Sequence, residues 1–159
     1  MVLDPAPHIL LVVASYYQDI TEQLVAGATA ELERAGATWG RIDVAGAFEI
    51  PAAISIARQA GGIGGRRPFD GYIALGCVIR GETTHYDHIC NEIARAFQDM
   101  AVIHRTAIGF GVLTCENGEQ ARVRADATRK NKGGEAARAC LSVIGVKQAF
   151  GLYPDHACG

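Results

Sequence analysis

Short apolar runs alternate with amphipathic segments along this chain, and the alternation limits its possible folds more than any other feature. His8–Ala14 reads HILLVVA, a continuous run typical of a parallel strand that is buried on both faces. Asp19–Ala35 follows, with apolar residues at four-residue steps that predict a helix, and Gly36 predicts its end. Strands that alternate with helices form parallel sheets with right-handed crossovers. The pattern therefore predicts the α/β class.

The same signals predict the remaining elements. We expect further strands at Trp39–Val44, Tyr72–Ile79 and Thr106–Leu113. We expect further helices at Ala52–Ala60, directly after Pro51, and at His85–Ala101, Gly118–Arg124 and Gly133–Ala149. The glycine-rich residues 61–68 predict a surface loop, and residues 151–159 predict a loose tail. We expect one domain over 1–159, with an ordered core at 8–150, built as a three-layer sandwich with helices on both faces of the sheet.

The charge balance limits the classes of partner. The 159 residues carry a formal net charge of −2, without a block of like charges. This gives no support for binding to nucleic acid or to a membrane surface. We therefore expect the partners to be small molecules or other copies of the chain.

The cysteines and the N-terminus predict where the protein is found. The five cysteines are widely spaced and form no C-x-x-C pair, as expected of reduced thiols in the cytosol. They are Cys77, Cys90, Cys115, Cys140 and Cys158. No stretch approaches the roughly 18 apolar residues of a membrane span, and no basic region precedes the first apolar run as in a signal peptide. We expect a cytoplasmic protein.

Parallel sheets bind ligands beyond the carboxyl ends of their strands, so we expect the chemistry there. The first strand is followed by SYYQ at 15–18, whose aromatic rings either stack on a planar heterocycle or cap the core. The second strand is followed by GAFEIP at 46–51, in which Phe48 offers a ring face and Glu49 an acceptor. The alternative is a structural turn that places Glu49 at the positive end of a helix dipole.

The third strand leads into the richest segment, GCVIRGETTHYDH at 76–88. It nearly matches the P-loop pattern, but Glu82 replaces the lysine that binds nucleotide phosphates, which argues against an NTPase. The amides of residues 81–84 precede a helix and are suited to binding one phosphate at its N-terminus. Thr84 and Asp87 also fit a capping box.

His85, His88 and Glu92 fall on one face of the predicted helix. Two histidines and a carboxylate suit zinc, whereas a histidine at the start of a helix beside a phosphate loop suits acid–base chemistry. Because the spacing differs from H-E-x-x-H, we favour the acid–base interpretation and predict no metal. For His88 alone, a packed or surface histidine is the favoured interpretation.

The fourth strand and the following loop supply further candidates. Phe110 is either a core residue or a second stacking ring. Arg124 and RKNKGG at 129–134 lead into the last helix, and a lysine in a glycine loop there suits a second anion site. A solvated basic loop is the alternative.

Taken together, four segments closely resemble the lumazine synthases, over nearly the whole chain. They are GAFEIP at 46–51, GCVIRGETTHYDHICNE at 76–92, FGVLTCENGEQA at 110–121 and NKGGEAA at 131–137. The resemblance implies a flavodoxin-like sheet of four strands in the order 2-1-3-4. It also implies condensation of 5-amino-6-(D-ribitylamino)uracil with 3,4-dihydroxy-2-butanone 4-phosphate, the penultimate step of riboflavin synthesis, without a cofactor. A catalytically silent relative that binds lumazine or flavin is the alternative.

The resemblance also implies a role for each matching residue. His85 is implied to be the catalytic proton carrier. The residues implied to bind the pyrimidine and its ribityl chain are Tyr16, Ala47, Phe48, Glu49, Cys77, Val78, Ile79, Phe110 and Lys132. Those implied to bind phosphate are Glu82, Thr83 and Arg124.

The implied assembly is a homopentamer, alone or built into a decamer or a sixty-subunit shell. Its active sites lie at subunit interfaces, with Phe110, Arg124 and Lys132 entering from the adjacent subunit. Two departures from the family pattern concern the pocket. The segment at 15–18 leaves open whether Tyr16 or Tyr17 stacks, and Cys77 stands where a small or hydroxylated residue is common.

Overall fold

In the computed structural model, which describes residues 2–61, 64 and 67–155, strands and helices alternate from one end of the chain to the other. The strands are β1 (His8–Ala14), β2 (Thr38–Val44), β3 (Gly71–Ile79) and β4 (Ile108–Cys115). The α-helices are α1 (Gln18–Arg34), α2 (Ile50–Ala60), α3 (His85–His104), α4 (Gly118–Ala125) and α5 (Lys132–Ala149). Short 3-10 turns at Ser15–Tyr17 and Ala47–Glu49 connect β1 to α1 and β2 to α2.

The strands form one parallel sheet in the order β2-β1-β3-β4. The helices α1, α4 and α5 contribute to the apolar core on one face, and α2 and α3 contribute to the core on the other face. This confirms the three-layer sandwich and the flavodoxin-like strand order. Because all four strands run in the same direction, their carboxyl ends meet at one edge of the sheet.

Residues of β1 alternate between the two cores, as expected from the two-residue repeat of a strand. Ile9, Leu11 and Val13 enter the core with α1 and α5, whereas Leu10 and Val12 enter the core with α2 and α3. This explains why the run is apolar without alternation, and it confirms the predicted strand. The predicted apolar stripe of α1 is also buried, and it consists of Ile20, Leu24, Ala28 and Leu32.

The predicted bounds of the fourth strand, Thr106–Leu113, were wrong by two residues at each end. The preceding helix was predicted to end at Ala101, but α3 continues to His104. Arg105 then adopts a left-handed conformation with φ of 53°, and the amide of Thr106 donates to the carbonyl of Met100. The first residues of the predicted strand therefore terminate the helix, and the pairing with β3 continues to Cys115.

The structure describes in part each of the two segments that were expected to be irregular, 61–68 and 151–159. In the glycine-rich loop, residues 62, 63, 65 and 66 lie outside the described residues. In the expected loose tail, Tyr153 is only 7% exposed and its hydroxyl donates to the carbonyl of Pro5 over 2.6 Å. Lys147 and Asp155 form an ion pair, so the tail is attached to the rest of the protein at Tyr153 and Asp155, while 156–159 lie outside the described residues.

The described helices include none that is both long enough and apolar enough to cross a bilayer.

Two glycines allow α5 to approach its neighbours closely. A Cβ atom at Gly133 would overlap the backbone carbonyl of Leu24 in α1, and one at Gly109 would overlap that of Ala136 in α5. Backbone atoms cannot move aside as a flexible side chain can. The absence of a side chain at these two positions therefore sets how closely α5 packs against α1 and β4.

We predict that Gly133→Ala destabilises the protein by about 1–3 kcal/mol, because the overlap forces α5 away from α1. Helix propensity alone predicts the opposite sign, since alanine is favoured over glycine by up to about 1 kcal/mol. Urea unfolding at a fixed protein concentration measures the difference. Ser142→Ala, at an exposed position of the same helix, is the control and should stay within about 0.5 kcal/mol of the wild type. A Gly133→Ala protein as stable as the wild type would contradict the packing argument.

Candidate active site at the carboxyl edge of the sheet

A cavity of about 680 Å³, which we call the main cavity, lies at the carboxyl ends of β1, β2 and β3. This volume is within the usual range for small-molecule sites. Its walls are formed by Tyr16, Tyr17, Gly46, Ala47, Phe48, Glu49, Cys77, Val78, Ile79, His85, His88, Ile89 and Glu92. The structure thus brings together eight of the thirteen residues to which the resemblance gives a role, from three different strand ends and the start of α3.

The two tyrosines after β1 differ in what they can contact. Tyr16 is 75% exposed, whereas Tyr17 is half-buried and packs against the core on the α1 face. Their rings meet edge to face, with centroids 4.9 Å apart. Tyr17 is therefore an anchor for Tyr16, and Tyr16 is the ring with a face available for stacking.

The segment after β2 presents one apolar and one charged side chain. Phe48 is 57% exposed although its ring is apolar, and the adjacent Ala47 is buried. Glu49 is the N-cap residue of α2, and its side chain makes no capping hydrogen bond. A Cβ at Gly46 would lie 3.1 Å from the Glu49 carboxylate, so the carboxylate lies directly over the Gly46 backbone. The acceptor role and the helix-dipole role of Glu49 are therefore compatible.

The end of β3 exposes backbone groups to the main cavity. Pairing between β1 and β3 ends at Leu75, whereas pairing between β3 and β4 continues to Ile79. In a parallel sheet, alternate residues direct their amide and carbonyl to the same neighbouring strand. Within the described sheet, residues 76–79 therefore have donors and acceptors on the β1 side that no strand uses.

The Cys77 thiol in this wall is neutral at physiological pH. Cys77 is only 6% exposed, and burial, with a further contribution from the nearby Cys115, raises the pKa of its thiol to about 12. It can therefore offer the cavity an apolar surface and a backbone, but not a nucleophile.

The loop at 81–84 lies beside His85, and its side chains are exposed. The hydroxyl of Thr83 accepts a hydrogen bond from the amide of His85 over 3.4 Å. The predicted capping box was wrong, because Thr84 makes no side-chain cap and Asp87 pairs with Arg80 instead. Within the described residues, the amides of 81–84 have no protein acceptor, which leaves them available to an anion.

A second cavity, which we call the edge cavity, lies along β4 at the opposite side of β3 from β1. Its volume is about 290 Å³, and its wall includes Phe110, Arg124 and Lys132. Phe110 is 47% exposed and contacts Phe97 edge to face, with centroids 5.4 Å apart. The two cavities share no residue of the described chain, so the structure separates these three candidates from His85.

The basic segment before α5 is not an open anion loop. Asn131, with φ of 46°, accepts a hydrogen bond from the amide of Gly134 over 3.1 Å and caps the helix. Gly133 and Gly134 are buried. Lys132 of this segment lines the edge cavity, and there its ammonium pairs with Glu135 at 2.6 Å.

The first turns of α3 contribute more residues to the main cavity than the sequence predicted. His88 was interpreted as an ordinary histidine, yet it lines the main cavity together with Ile89 and Glu92. The spacing of these residues along one helix face was the available signal. Arg95 holds the pKa of the Glu92 carboxyl below its usual value, so Glu92 is ionised at neutral pH. Among the side chains that the structure describes, no group of three His, Cys, Asp or Glu residues is arranged to hold a metal ion.

Comparison with known proteins identifies one family. The family model described as 6,7-dimethyl-8-ribityllumazine synthase matches residues 6–148. A protein of Bartonella tribocorum with that name is 49% identical over 145 residues, which cover 91% of this chain and 93% of that protein. 6,7-Dimethyl-8-ribityllumazine synthase 1 of Rhizobium meliloti is 50% identical over 144 residues, covering 91% and 94%. The protein so named in Agrobacterium fabrum is 49% identical over 145 residues, covering 91% and 97%.

We predict that iodoacetamide at pH 8 labels the half-buried Cys90 well before Cys77. Because the pKa of the Cys77 thiol is about 12, only about one molecule in ten thousand carries the reactive thiolate at pH 8. Labelling of Cys77 should rise about tenfold per pH unit until the pH nears that pKa. Mass spectrometry of tryptic peptides measures both sites, and labelling in urea is the control. Equal rates at Cys77 and Cys90 in the folded protein would contradict the assignment.

Proposed function

The chain belongs to the 6,7-dimethyl-8-ribityllumazine synthase family, and we propose that its main and edge cavities together form the active site of that enzyme. The reaction condenses 5-amino-6-(D-ribitylamino)uracil with 3,4-dihydroxy-2-butanone 4-phosphate, releasing 6,7-dimethyl-8-ribityllumazine, phosphate and water. The observation that carries the proposal is the convergence of residues from three strand ends and α3 in one cavity. No feature favours the alternative, a catalytically silent relative that binds lumazine or flavin, since His85, Arg124 and Lys132 are all present.

The pyrimidine is proposed to bind at the wall formed by β1 and β3. Tyr16 stacks on the heterocycle, because its ring is exposed and Tyr17 supports it from below. The segment of Cys77, Val78 and Ile79 directs backbone groups to the β1 side that no described strand pairs, and these groups bind the polar edge of the ring. Hydrogen bonds of this kind discriminate between heterocycles, because an unmatched buried donor or acceptor is costly.

The ribityl chain is proposed to extend towards the segment after β2. Its hydroxyl groups donate to the Glu49 carboxylate, while Ala47 and Phe48 cover its carbon backbone. The small side chain of Ala47 leaves room for the substrate, and the exposed ring of Phe48 is covered when the substrate binds.

The phosphate group is proposed to bind at residues 81–84. The free amides of this loop and the hydroxyl of Thr83 surround one anion, and Glu82 belongs to the same loop. Arg124 supplies the positive charge that stabilises the departing phosphate. Because a helix begins at His85, its dipole adds to the attraction.

His85 is proposed to carry protons between the reacting groups. The amine adds to the ketone, the adduct loses water to form an imine, and phosphate leaves. After tautomerisation the ribitylamino nitrogen attacks the remaining carbonyl, and the ring closes with loss of a second water. Each step moves a proton, and a positioned histidine contributes roughly 10²–10⁴-fold. The remainder comes from holding the two substrates together, since oriented reactions reach effective molarities of about 10⁵ M or more. No metal or organic cofactor has a role in this scheme.

The site is proposed to be completed by the adjacent subunit of a homopentamer. Phe110, Arg124 and Lys132 line a cavity of their own, and in a ring a neighbour can present them to the main cavity. Large apolar side chains are also exposed near β4, at the end of α3 and along α5. They are Val102, Ile103, Val143, Val146 and Phe150. Exposed apolar surface of this extent favours association, and pairing of pentamers or a sixty-subunit shell would use further surfaces.

A cytoplasmic location is proposed together with this function. The cysteines that the structure describes are free thiols, which suits a reducing compartment.

We predict that His85→Ala lowers kcat by about ten- to a thousandfold, because one proton carrier is lost while substrate positioning remains. The assay follows lumazine absorbance with both substrates present. His104→Ala, at the far end of the same helix and outside both cavities, is the matched control and should keep wild-type kcat. Unchanged kcat in His85→Ala would remove His85 from the mechanism.

We also predict that rings assembled from His85→Ala and Arg124→Ala chains together are more active than rings of either variant alone. In an evenly mixed ring, about a quarter of the interfaces pair an intact His85 with an intact Arg124 of the neighbouring subunit. Chains carrying different tags allow purification of rings that contain both variants. If such mixed rings are no more active than the two parents, the site is not shared. A fully active monomer would contradict the proposal directly.

A further inference from the structure

The side chain of Arg80 connects the two ends of the loop at 81–84, and we propose that it is a positioning residue for phosphate binding. It holds the loop in the conformation in which the amides face the anion. The inference rests on the proposed function, because it takes this loop to be the place where the substrate phosphate binds.

Arg80 makes three polar contacts next to the loop, one through its backbone amide and two through its side chain. Its amide donates to the carbonyl of Cys115 over 2.9 Å, which extends the pairing of β3 with β4 by one residue. Its Nε donates to the Glu116 carboxylate over 2.9 Å, beyond the end of β4. Its Nη1 lies 3.3 Å from the Asp87 carboxylate, in the first turn of α3. One side chain therefore links the residue before the loop with the residues after it.

The ring of Tyr86 completes this arrangement. The guanidinium carbon of Arg80 lies 4.3 Å from the centroid of the ring, within the range of a cation–π contact. Tyr86 and Asp87 are neighbours in α3, so the stacking and the ion pair hold the same helical turn. The planar guanidinium satisfies both contacts together, which a lysine ammonium cannot do.

The loop itself has little internal support. Its four residues are exposed. The Thr83 hydroxyl accepts a hydrogen bond from the His85 amide, but the distance of 3.4 Å is long for such a bond. The loop amides donate to no acceptor of the described chain. Its order in the free enzyme must therefore come from its ends, where Arg80 acts.

The competing explanation for an effect of Arg80 on phosphate binding is a direct contact between Arg80 and the phosphate. Removing the negative charges around Arg80 distinguishes the two explanations. Asp87 and Glu116 are negative and lie near the proposed phosphate site. If charge alone mattered, removing either carboxylate would tighten phosphate binding, because repulsion is lost. If the carboxylates hold Arg80 and the loop in place, removing either would weaken phosphate binding. The two explanations predict opposite signs for the same substitutions.

The experiment measures KM for each substrate, and the inhibition constant of inorganic phosphate, in Arg80→Ala, Asp87→Asn and Glu116→Gln. We expect Arg80→Ala to raise KM for the butanone phosphate at least tenfold. We expect Asp87→Asn and Glu116→Gln to raise it about threefold each, while KM for the pyrimidine stays within about twofold. The inhibition constant of inorganic phosphate should rise in parallel. A general loss of stability would not separate the two substrates in this way.

Arg41→Ala is the matched control. Arg41 also donates through Nε to one carboxylate, Asp43 at 2.6 Å, and through Nη2 to another, Glu22 at 2.7 Å. It joins β2 to α1 at the opposite edge of the sheet and lines neither cavity. Its loss should change neither KM beyond about twofold.

The outcomes separate this inference from the proposed function. A wild-type enzyme that forms no lumazine would reject the function itself. With an active wild type, tighter phosphate binding in Asp87→Asn and Glu116→Gln would overturn the positioning role, as would unchanged values in Arg80→Ala. If Arg80→Ala does not fold, the two isosteric carboxylate variants decide the sign alone.

Discussion

The burial of β3 between β1 and β4 is the constraint on which the rest of the structure depends. From Gly71 to Cys77 every residue of this strand is buried, so its backbone groups require partners on both sides. Neighbouring strands supply them as far as Leu75, beyond which β1 is no longer paired and β4 alone continues. The difference in strand length opens the sheet on one side of β3. The main cavity lies at this opening, and it is therefore a consequence of how the sheet ends.

Local sequence patterns predicted the strands and helices whose burial follows their own periodicity. They failed where a side chain's partner lies elsewhere in the chain. The run at 8–14 and the stripe of α1 could be predicted because burial follows their own periodicity. The capping box failed because Arg80 lies seven residues away and takes the Asp87 carboxylate. The packing of Tyr153 depends on Pro5, across almost the whole chain, and no local signal reports such a contact.

In the candidate site too, features that follow from the order of strands and helices were predictable, whereas features that depend on contacts between distant residues were not. That residues 16, 47–49, 77–79 and 85 converge follows from parallel topology alone, since strand ends share an edge. The sequence of the segment before α5 was ambiguous, because glycines serve ligand approach, left-handed turns and close helix packing alike. The structure assigns Gly133 to packing against Leu24, whereas Lys132 of the same segment lines the edge cavity.

The positions of the two cavities restrict the kind of assembly that a shared site allows. The main cavity lies on the β1 side of β3, and the edge cavity lies on the β4 side. A contact that joins the main cavity of one subunit to the edge cavity of another, without the reverse contact across the same interface, is heterologous. An open dimer of this kind contains one complete site and leaves one half-site at each end. Under the proposal of a shared site, a ring of such contacts completes a site for every subunit, so the proposed chemistry requires ring closure as much as the proposed subunit packing does.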